Sequence, residues 1–581
     1  MLILRGIAAS SGIARARWTV IREEAPPARG TIAPDLIEAE LERAAVARES
    51  AARELEGIAA GVAEAGHPEE GEILSAQAAM ARDPAFAALT EQRVRERLDD
   101  AVAATLGAAD EIGDQLRALQ DELLAARAAD LADVGMRIAR HLAGRGGEEG
   151  PRLDTPAIVV AQDIPPSMAA TLPRDRVLGF ALERGSPTAH AAILARAYGI
   201  PAVVGVGGLI DALESAVPAT GGHGAVELAI DGDSGEVVID PDEVTTRRFR
   251  VREAESARAA AEAMAEVSLP AATSDGVEVA LLANIGTPDE AERCVALGAH
   301  GVGLFRTEFL FLERATPPSE DEQLAAYRSV IEAFAPYPVT IRLLDIGGDK
   351  PIPYLPIERE ANPFLGVRAL RLAATRPEVF VTQLRSAYRA ALAGPVKVMA
   401  PMIADATDAE LLLSLAERAR IALDRDGLAY GRVDLGVMLE IPSAILVADS
   451  YFGRLAFGSL GTNDLLQYTV AVDRGNQALG RYQDSLHPAL LRLVAEAVAA
   501  ADRAGIELSV CGEMAGDPVA ALALVGLGIR KLSMAAGSLP LVRRAIRASS
   551  AAELRAMADA SLSAPSAAAI RARFRAPGAR A

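Results

Sequence analysis

Eight short apolar runs follow one another along the second half of the chain, each separated from the next by enough residues for a helix. The runs cover residues 277–285, 301–307, 338–345, 395–402, 434–441, 454–460, 506–513 and 531–537. Strands that alternate with helices in this way form parallel βαβ units. Eight such units are the number that closes a (β/α)8 barrel. The sequence therefore predicts a TIM-like barrel over residues 270–575.

A different pattern occupies residues 32–145, which are rich in alanine, glutamate, arginine and leucine. Apolar residues recur there at steps of three and four, for example over residues 37–62, which is typical of amphipathic helices. Short apolar runs at residues 2–4 and 157–160 predict strands on either side. The helical segment is therefore predicted to be a bundle inserted into an α/β domain, with a separate helical domain as the alternative.

These patterns predict an α/β multidomain protein with four parts. Residues 1–20 and 150–235 are expected to form the α/β domain, with the helical bundle of residues 21–149 inserted between them. Residues 242–267 are charged, alanine-rich and free of glycine and proline, so they are expected to form a helical linker. The barrel takes residues 270–575.

Composition excludes several classes of function. The 581 residues carry a net charge of −20, which disfavours binding to nucleic acid. The two cysteines, Cys294 and Cys511, are too few for a disulfide framework or a structural zinc site. The sequence has no apolar run long enough to span a bilayer and no secretion signal. A soluble cytoplasmic protein with no membrane insertion is expected.

Lysine is rare in this chain. Lys350, Lys397 and Lys531 are the only lysines among 59 basic residues. A bias that replaces lysine with arginine wherever chemistry permits would leave lysine where it is needed, so these positions are candidates for specific roles.

Basic residues cluster where the second and third barrel strands end. Arg306 and Arg342 lie at those strand ends, and Lys350 and Arg368 follow in the next segments. Chemistry in such barrels takes place at the carboxyl ends of the strands. One guanidinium group can bind two phosphate oxygens at once, so this cluster of basic residues predicts a phosphate site. Any one of these arginines alone is better explained as a surface ion-pair partner.

Oxygen-bearing side chains follow the fifth and sixth strands. Glu440 and Asp464 are the hard ligands that Mg²⁺ prefers, and Asn463 adds an amide. Arg474 is suited to a substrate carboxylate, and the thiol of Cys511 ends the seventh strand, where it can deliver a proton. A buried cysteine is more often an inert apolar residue, so the proton-donor role depends on these neighbours.

His190 lies between a glycine-containing turn at Gly185 and an amphipathic helix that Thr188 can cap. The first turn of a helix favours an anion, so a phosphorylated imidazole would be stabilised there. The alternative is an ordinary polar surface residue. The other histidines have no partner pattern and are assigned no chemistry; they are His67, His141, His223, His300 and His487.

Four stretches resemble, in order, the signatures of the enzyme I family of the phosphoenolpyruvate-dependent sugar phosphotransferase system. They are Gly-Val-Gly-Leu-Phe-Arg-Thr-Glu-Phe-Leu-Phe from residue 301, Asp-Ile-Gly-Gly-Asp-Lys from 345, Gly-Thr-Asn-Asp-Leu-Leu-Gln-Tyr-Thr-Val-Ala-Val-Asp-Arg-Gly-Asn from 461, and Cys-Gly-Glu from 511. The resemblance covers essentially the whole chain and is highly specific.

The resemblance implies a phosphoryl transfer from phosphoenolpyruvate to His190 with release of pyruvate. The phosphoryl group would then pass to a histidine of the phosphocarrier protein HPr, the first step of sugar uptake. It also implies that the helical insert docks HPr, that the histidine domain swivels at the 242–267 linker, and that the protein is a homodimer through its barrel.

The resemblance also implies a role for each predicted site residue. Arg306, Arg342 and Lys350 would hold the phosphate, and Arg368 would add positive charge. Glu440 and Asp464 would bind Mg²⁺. Asn463 and Arg474 would hold the carboxylate, and Cys511 would protonate the enolate carbon.

Some positions depart from the pattern of the family. The family commonly has glycine at Ser186, serine at Ala189 and threonine at Ala169, where a hydroxyl can orient the imidazole. The segment at residues 74–80 lacks the histidine and bulky apolar residues frequent in the phosphocarrier-binding surface. Two alternatives follow for the histidine, either slower phosphoryl transfer or compensation by Thr188 or Thr171, and an altered docking surface is expected for the insert.

Several other functions compete with this interpretation. Pyruvate phosphate dikinase and phosphoenolpyruvate synthase share the histidine domain and barrel but add a nucleotide-binding domain, for which this chain has no room. A nitrogen-regulatory enzyme I usually carries an amino-terminal sensor domain, whereas here the histidine domain starts at the first residues. A regulatory scaffold without turnover and a barrel lyase that does not need His190 also compete.

Overall fold

A computed structural model provides the structure of the chain. It describes all residues except 11, 23–25, 65–67, 119–121, 146–152, 154, 165–167, 169–171, 174, 186–190, 193, 196–198, 217–225, 313, 315, 348–351, 353, 356, 358–359, 361, 474–476 and 576–581. The side chains of residues 61–64, 68–73, 117–118, 122–127, 129, 477–478 and 481 are not described either. The chain divides into two compact units, Met1–Ala257 and Arg258–Ala581. The domain limits given above stay predictions.

Nine strands of the first unit form two sheets. They are β1 (Leu2–Arg5), β2 (Ile7–Ser10), β3 (Ile13–Ala16), β4 (Trp18–Ile21), β5 (Ala157–Ala161), β6 (Val177–Leu182), β7 (Ala202–Val204), β8 (Leu228–Asp231) and β9 (Glu236–Ile239). One sheet has the order β1-β9-β8-β3 and the other β2-β7-β6-β5-β4. The first 21 residues thus contain four strands, where the sequence predicted one strand and a turn.

The helical segment is inserted between two neighbouring strands of the five-stranded sheet. β4 and β5 pair in parallel, with Trp18 opposite Ile158 and Ile21 opposite Ala161. The chain therefore leaves the sheet after β4, passes through the helical segment and re-enters the sheet as β5, directly beside β4. This arrangement confirms the predicted α/β fold with a helical insert.

Both faces of the five-stranded sheet are buried. Successive side chains of a strand point to opposite sides, so alternate residues enter two different cores. Val159 of β5 packs in one core with Ala191, Ala192 and Leu194, whereas Ile158 packs in the other. The residues that follow position 190 are therefore buried against one face of this sheet. His190, Thr188 and the positions 186, 189 and 169 lie outside the described residues.

The described residues of the helical insert form five helices. They are Ile37–Glu64, Pro68–Ala81, Pro84–Arg97, Ala101–Ala118 and Glu122–Leu142. Small and branched apolar residues, among them Ala51, Leu55 and Ile138, form its core. His141, which was assigned no chemistry, lies with its Nε2 atom 2.6 Å from Oε2 of Glu54, and this glutamate also pairs with Arg137.

A helix covers Glu243–Ala265, where the sequence predicted a helical linker. In the first unit, Arg248 and Arg252 of this helix bind Glu236 and Asp231 of the β8–β9 hairpin. In the second unit, Glu262 near the end of the helix pairs with Arg544. Each end of the helix is thus attached within its own unit by charged side chains.

The second unit is a closed barrel of eight parallel strands, as the sequence predicted. The strands are β10 (Ala280–Ile285), β11 (Val302–Phe305), β12 (Val339–Arg342), β13 (Val396–Ala400), β14 (Val433–Leu439), β15 (Phe457–Leu460), β16 (Glu507–Val510) and β17 (Lys531–Met534). β10 pairs with both β11 and β17, which closes the barrel. Seven of the predicted apolar runs contain one of these strands, and the run 434–441 covers all of β14 except Val433.

Helices follow the barrel strands along the chain. They are Ala291–Ala296, Glu320–Phe334, Pro377–Ala390, Ala406–Asp426, Pro442–Leu446, Thr462–Val470, Pro488–Ala504, Pro518–Leu527, Leu539–Arg547, Ala551–Ser561 and Ala567–Arg575. His487 caps one of them, since its ring Nδ1 accepts a hydrogen bond of 3.2 Å from Ala489 N–H. In the described part of the chain, no helix has the length and apolar character needed to cross a membrane.

Candidate active site

Four predicted site residues stand where barrel strands end. Arg306 follows β11, Arg342 is the last residue of β12, Glu440 follows β14 and Cys511 follows β16. Because all eight strands are parallel, these carboxyl ends lie at the same rim of the barrel. The fold thus gathers residues that are far apart in sequence.

Arg342 is held by two carboxylates. Its Nη2 donates a hydrogen bond of 2.9 Å to Oε1 of Glu308, and its Nη1 lies 3.4 Å from Oδ2 of Asp345. Oε1 of Glu308 also accepts a hydrogen bond of 3.0 Å from the N–H of Asp345. The buried Nε of Arg342 has no hydrogen-bond partner among the described residues. This donor is therefore both buried and unpaired within the described residues.

Arg368 makes a forked contact with Asp345. Its Nη2 lies 3.0 Å from Oδ1 and 2.9 Å from Oδ2, and its Nε lies 3.1 Å from Oδ1. The backbone of Arg368 forms an isolated bridge with Gly347, whose φ of +131° favours glycine. The segment after β12 thereby returns Arg368 to the strand end where Asp345 lies.

Both guanidinium groups keep their charge despite burial. Burial alone would lower the pKa of Arg342, but the carboxylates of Glu308, Asp345 and Glu440 raise it overall. Burial alone would also lower the pKa of Arg368, but Asp345, Asp464 and Glu440 raise it overall. These shared interactions place Glu440 and Asp464 in one electrostatic group with the arginines.

Glu440 is almost fully buried, and its Oε1 accepts a hydrogen bond of 2.6 Å from the N–H of Met402. Burial raises the pKa of Glu440 to about 8, with further increases from Asp345 and Asp464. Carboxylates that repel one another in this way attract a cation. Among the described residues, this electrostatic group comprises the four carboxyl groups of Glu308, Asp345, Glu440 and Asp464 and the three guanidinium groups of Arg306, Arg342 and Arg368.

The donor set of Glu440 and Asp464 fits Mg²⁺. This ion takes few protein carboxylates and completes its shell with substrate phosphate and water. Within the described residues, no three or more histidine, cysteine, aspartate or glutamate side chains are grouped to hold a metal ion by themselves. A site of two carboxylates completed by substrate is compatible with that finding.

Cys511 lies buried at the same rim. Its Sγ is 3.6 Å from the carbonyl oxygen of Leu460. Burial raises the pKa of its thiol to about 11, and smaller contributions come from Glu440, Arg342 and Arg306. The thiol therefore keeps its proton at neutral pH. Cys294, to which no chemistry was assigned, is also buried, and burial raises its pKa to about 12.

The remaining predicted residues differ in how the structure places them. Arg306 is exposed, and Asn463 is half-buried with its Oδ1 accepting a hydrogen bond of 3.0 Å from the N–H of Glu513. Lys350, Arg474 and His190 lie outside the described residues.

Sequence reasoning missed Gln383, a fully buried residue of the helix Pro377–Ala390. Its Oε1 accepts a hydrogen bond of 2.9 Å from Leu344 N–H, and its Nε2 donates one of 2.9 Å to Thr307 Oγ1. Thr307 in turn donates a hydrogen bond of 2.9 Å to the carbonyl of Arg342. One amide thus fixes the ends of both β11 and β12. Nothing in the sequence distinguishes this glutamine from a surface residue.

Three family profiles match consecutive parts of the chain. The profile of the PEP-utilising enzyme, N-terminal, matches residues 5–127, and that of the PEP-utilising enzyme, mobile domain, matches residues 153–235. The profile of the PEP-utilising enzyme, PEP-binding domain, matches residues 260–551. The last of these contains the barrel rim described above.

Curated relatives match over most of the chain. The chain is 43% identical to a phosphoenolpyruvate-protein phosphotransferase of Streptomyces coelicolor, covering 93% of this chain and 92% of the relative. It is 38% identical to a protein of the same name from Geobacillus stearothermophilus, with 92% and 91% covered. A multiphosphoryl transfer protein of Rhodobacter capsulatus is 42% identical, covering 79% of this chain and 54% of that protein.

Proposed function

This chain belongs to the phosphoenolpyruvate-protein phosphotransferase family of PEP-utilising enzymes, and from that premise we propose that His190 is its phosphoryl carrier. The phosphoryl group moves from phosphoenolpyruvate to His190, pyruvate leaves, and the group then passes to a histidine of the phosphocarrier protein HPr. This transfer is the first step of sugar uptake by the phosphotransferase system. The observation that carries the proposal is the buried group of arginines, carboxylates and a protonated thiol at the barrel rim.

Basic side chains bind the two anionic ends of phosphoenolpyruvate. Arg306, Arg342 and Lys350 hold the phosphate, and Arg368 adds positive charge. The exposed Arg306 and the Nε donor of Arg342 support this role. Asn463 and Arg474 hold the carboxylate end.

Glu440 and Asp464 hold Mg²⁺ in this proposal. When bound, the ion neutralises charge on the phosphate and so assists phosphoryl transfer. The hydrogen bond from Met402 fixes the orientation of the Glu440 carboxylate. Asp345 and Glu308 keep Arg342 and Arg368 in place beside it.

The transfer step breaks the bond between the phosphorus and the enol oxygen of phosphoenolpyruvate. A new bond forms between the phosphorus and a ring nitrogen of His190, and the electron pair of the broken bond stays with the enolate. The Cys511 thiol gives its proton to the terminal carbon of the enolate, which yields pyruvate. Solvent then returns a proton to the thiolate. A thiol that keeps its proton up to a pH of about 11 is suited to this role.

The carrier must meet two partners, the barrel rim and HPr. We assign the rotation of the histidine domain between these partners to the linker predicted at residues 242–267. The docking of HPr is assigned to the helical insert. A homodimer through the barrel completes the proposal. Ser186, Ala189 and Ala169 replace residues that the family commonly uses near the histidine, so slower transfer is expected.

Intact-protein mass spectrometry after incubation with phosphoenolpyruvate and Mg²⁺ tests the proposal, with pyruvate measured in the same tube. We expect one acid-labile phosphoryl adduct on the wild type, a matching amount of pyruvate, and neither product with His190→Ala. His223→Ala is the matched control, because this histidine lies in the same mobile-domain match and carries no assigned role. Addition of HPr should then remove the adduct.

Each rival function gives a different result. Pyruvate release that persists in His190→Ala would favour a barrel lyase. Neither adduct nor pyruvate from the wild type would favour a regulatory scaffold and would contradict the proposed carrier.

A further inference from the structure

A cavity of about 430 Å³ lies at the amino-terminal end of the barrel, opposite the rim described above. Its wall includes residues at the beginnings of barrel strands, among them Ala280, Lys397, Phe457, Glu507 and Lys531. Its volume falls within the range of sites that bind small molecules. Nothing in the proposed phosphoryl transfer uses this end of the barrel.

Two of the three lysines of the chain line this cavity, Lys397 and Lys531. Arginine supplies the other 56 of the 59 basic residues. A lysine ammonium is compact, whereas the longer guanidinium of an arginine would fill more of the space. The retained lysines therefore keep the cavity open and bring positive charge to its wall.

The two ammonium groups share a single carboxylate. Nζ of Lys397 lies 2.7 Å from Oε1 of Glu507, and Nζ of Lys531 lies 2.5 Å from Oε2. An ammonium has three N–H donors, and within the described residues only Glu507 takes a hydrogen bond from either lysine. This part of the wall thus has one excess positive charge and several remaining donors.

The burial of the group makes the excess charge significant. The side chains of Lys397, Lys531 and Glu507 are 14%, 32% and 29% exposed, so water screens them only in part. An anion entering the cavity would balance the charge and accept the remaining hydrogen bonds. Glu278, the other carboxylate of the wall, is exposed and interacts with His300 rather than with the lysines.

The rest of the wall is apolar or aromatic. The Phe457 ring lies with its centroid 5.0 Å from Nζ of Lys397, and Leu282 and Val302 line the cavity as well. His300 and Tyr337 place their rings 5.5 Å apart at another part of the wall. Burial and Arg543 lower the pKa of His300, which therefore adds no charge at neutral pH.

We propose that this cavity binds a small organic carboxylate. Its oxygens accept hydrogen bonds from Lys397 and Lys531, and its compact apolar body lies against Phe457, Leu282 and Val302. Phe457 also packs in one cluster with Cys511 and Met438. A ligand in the cavity therefore contacts a side chain that supports the layer containing the rim thiol.

The rarity of lysine makes a direct test possible. Protein labelled with ¹³C-lysine has three sets of lysine side-chain NMR signals, and Lys397→Met and Lys531→Met each remove one set and so assign it. Benzoate is the probe, and benzamide is the control because it has the same shape without the charge. We expect benzoate to shift the Lys397 and Lys531 signals along one saturating curve and benzamide to leave them in place.

Two variants should change the affinity in opposite directions. Lys531→Met, followed through the Lys397 signal, should weaken benzoate binding about tenfold, since it removes one charge-assisted hydrogen bond. Glu507→Gln should tighten binding several-fold, because it removes the carboxylate that competes for both lysines. The Glu507→Gln measurement still tests the proposal if a lysine variant fails to fold.

Three results would overturn the proposal. These are the absence of a saturable shift at Lys397 and Lys531, equal shifts with benzamide, and a benzoate response of Lys350 alone, which would place the carboxylate at the opposite rim. Loss of pyruvate formation is not among them, so failure of the carrier mechanism and failure of this site are distinguishable.

Discussion

Arg368 and Asp345 form a buried, forked ion pair in which one guanidinium nitrogen lies 3.0 and 2.9 Å from the two carboxylate oxygens. Each residue is only 7% exposed. Asp345 also lies beside Arg342, so one carboxylate orients two of the arginines to which we assign substrate binding.

We predict that Asp345→Asn lowers the free energy of unfolding of the barrel by about 3 kcal/mol, because a buried arginine loses its charged partner. Urea unfolding followed by circular dichroism measures the change. Asp449→Asn is the control, since Asp449 and Arg503 form a pair whose side chains are 63% and 51% exposed. Breaking that exposed pair should leave the free energy of unfolding nearly unchanged, because water screens its charges. Equal losses in both variants would contradict the prediction.

Gln383→Leu should lower kcat/KM for phosphoenolpyruvate about tenfold while the protein stays folded. The substitution removes the amide that connects Leu344 N–H to Thr307 and so loosens the strand end at Arg342. Steady-state pyruvate formation in the presence of excess HPr, which accepts the phosphoryl group after each turnover, measures it. Gln323→Leu is the matched control, because that glutamine is equally buried and also bonds to Tyr327, as Gln383 does, but its other partner is the carbonyl of Pro318 and not a strand end. Equal losses of kcat/KM in both variants would contradict the positioning role of Gln383.

Cys511 should react slowly with iodoacetamide at pH 8. With its pKa raised to about 11 by burial, about one thousandth of the thiol is ionised at that pH, compared with about a quarter of a free cysteine. We expect alkylation at least a hundredfold slower than in denaturant, rising about tenfold per pH unit below the pKa. Peptide mass spectrometry separates Cys511 from Cys294. Rapid labelling of folded Cys511 at pH 8 would contradict the protonated thiol.

Glu440→Gln should raise the Mg²⁺ concentration required for half-maximal pyruvate formation by about tenfold or more, since an amide is a weaker ligand than a carboxylate. Binding of Mn²⁺, followed by electron paramagnetic resonance, provides a readout that does not depend on turnover. Glu513→Gln is the control, because Glu513 is exposed and contributes only its backbone N–H to Asn463. An unchanged Mg²⁺ requirement in Glu440→Gln would exclude this residue as a ligand.

Asp231→Asn should destabilise the first unit by about 2 kcal/mol at pH 7, the size of hydrogen bonds to a charged group. Burial alone would raise the pKa of Asp231, but hydrogen bonds from Ser234, Arg252 and Asp233 N–H lower it overall. A lowered folded-state pKa means that the stabilisation is present above the unfolded pKa of about 3.9 and is lost as pH falls through the folded value.

The difference between wild type and Asp231→Asn should therefore be constant near neutral pH and shrink below about pH 4. Thermal unfolding at several pH values measures this difference. A difference that grows in acid would contradict the assigned direction of the pKa shift.

Barrel strands were predictable because each apolar run is separated from the next by enough residues for a helix and eight such runs follow one another. The strands of the first unit were less predictable than those of the barrel. β7 has only three residues, and β1 and β9 pair across most of that unit. Patterns of alternation need longer windows than these strands provide, and pairing between such distant segments leaves no local signal.

Rim residues such as Arg306, Arg342 and Glu440 were predictable because barrel topology brings strand ends together. Gln383 was not, since its role depends on where a helix packs against two strand ends. The lysines at positions 397 and 531 stood out by their rarity, but their shared contact with Glu507 requires side chains of β13, β16 and β17 to meet inside the barrel.

The parallel pairing of β4 with β5 has a consequence for protein synthesis. β4 leaves the ribosome long before β5 exists, because the whole helical insert is translated between them. If the insert collapses on its own local contacts, it brings the two strand segments together and reduces the entropic cost of closing the loop. The five-stranded sheet would then assemble after the insert, although two of its strands, β2 and β4, are translated before it.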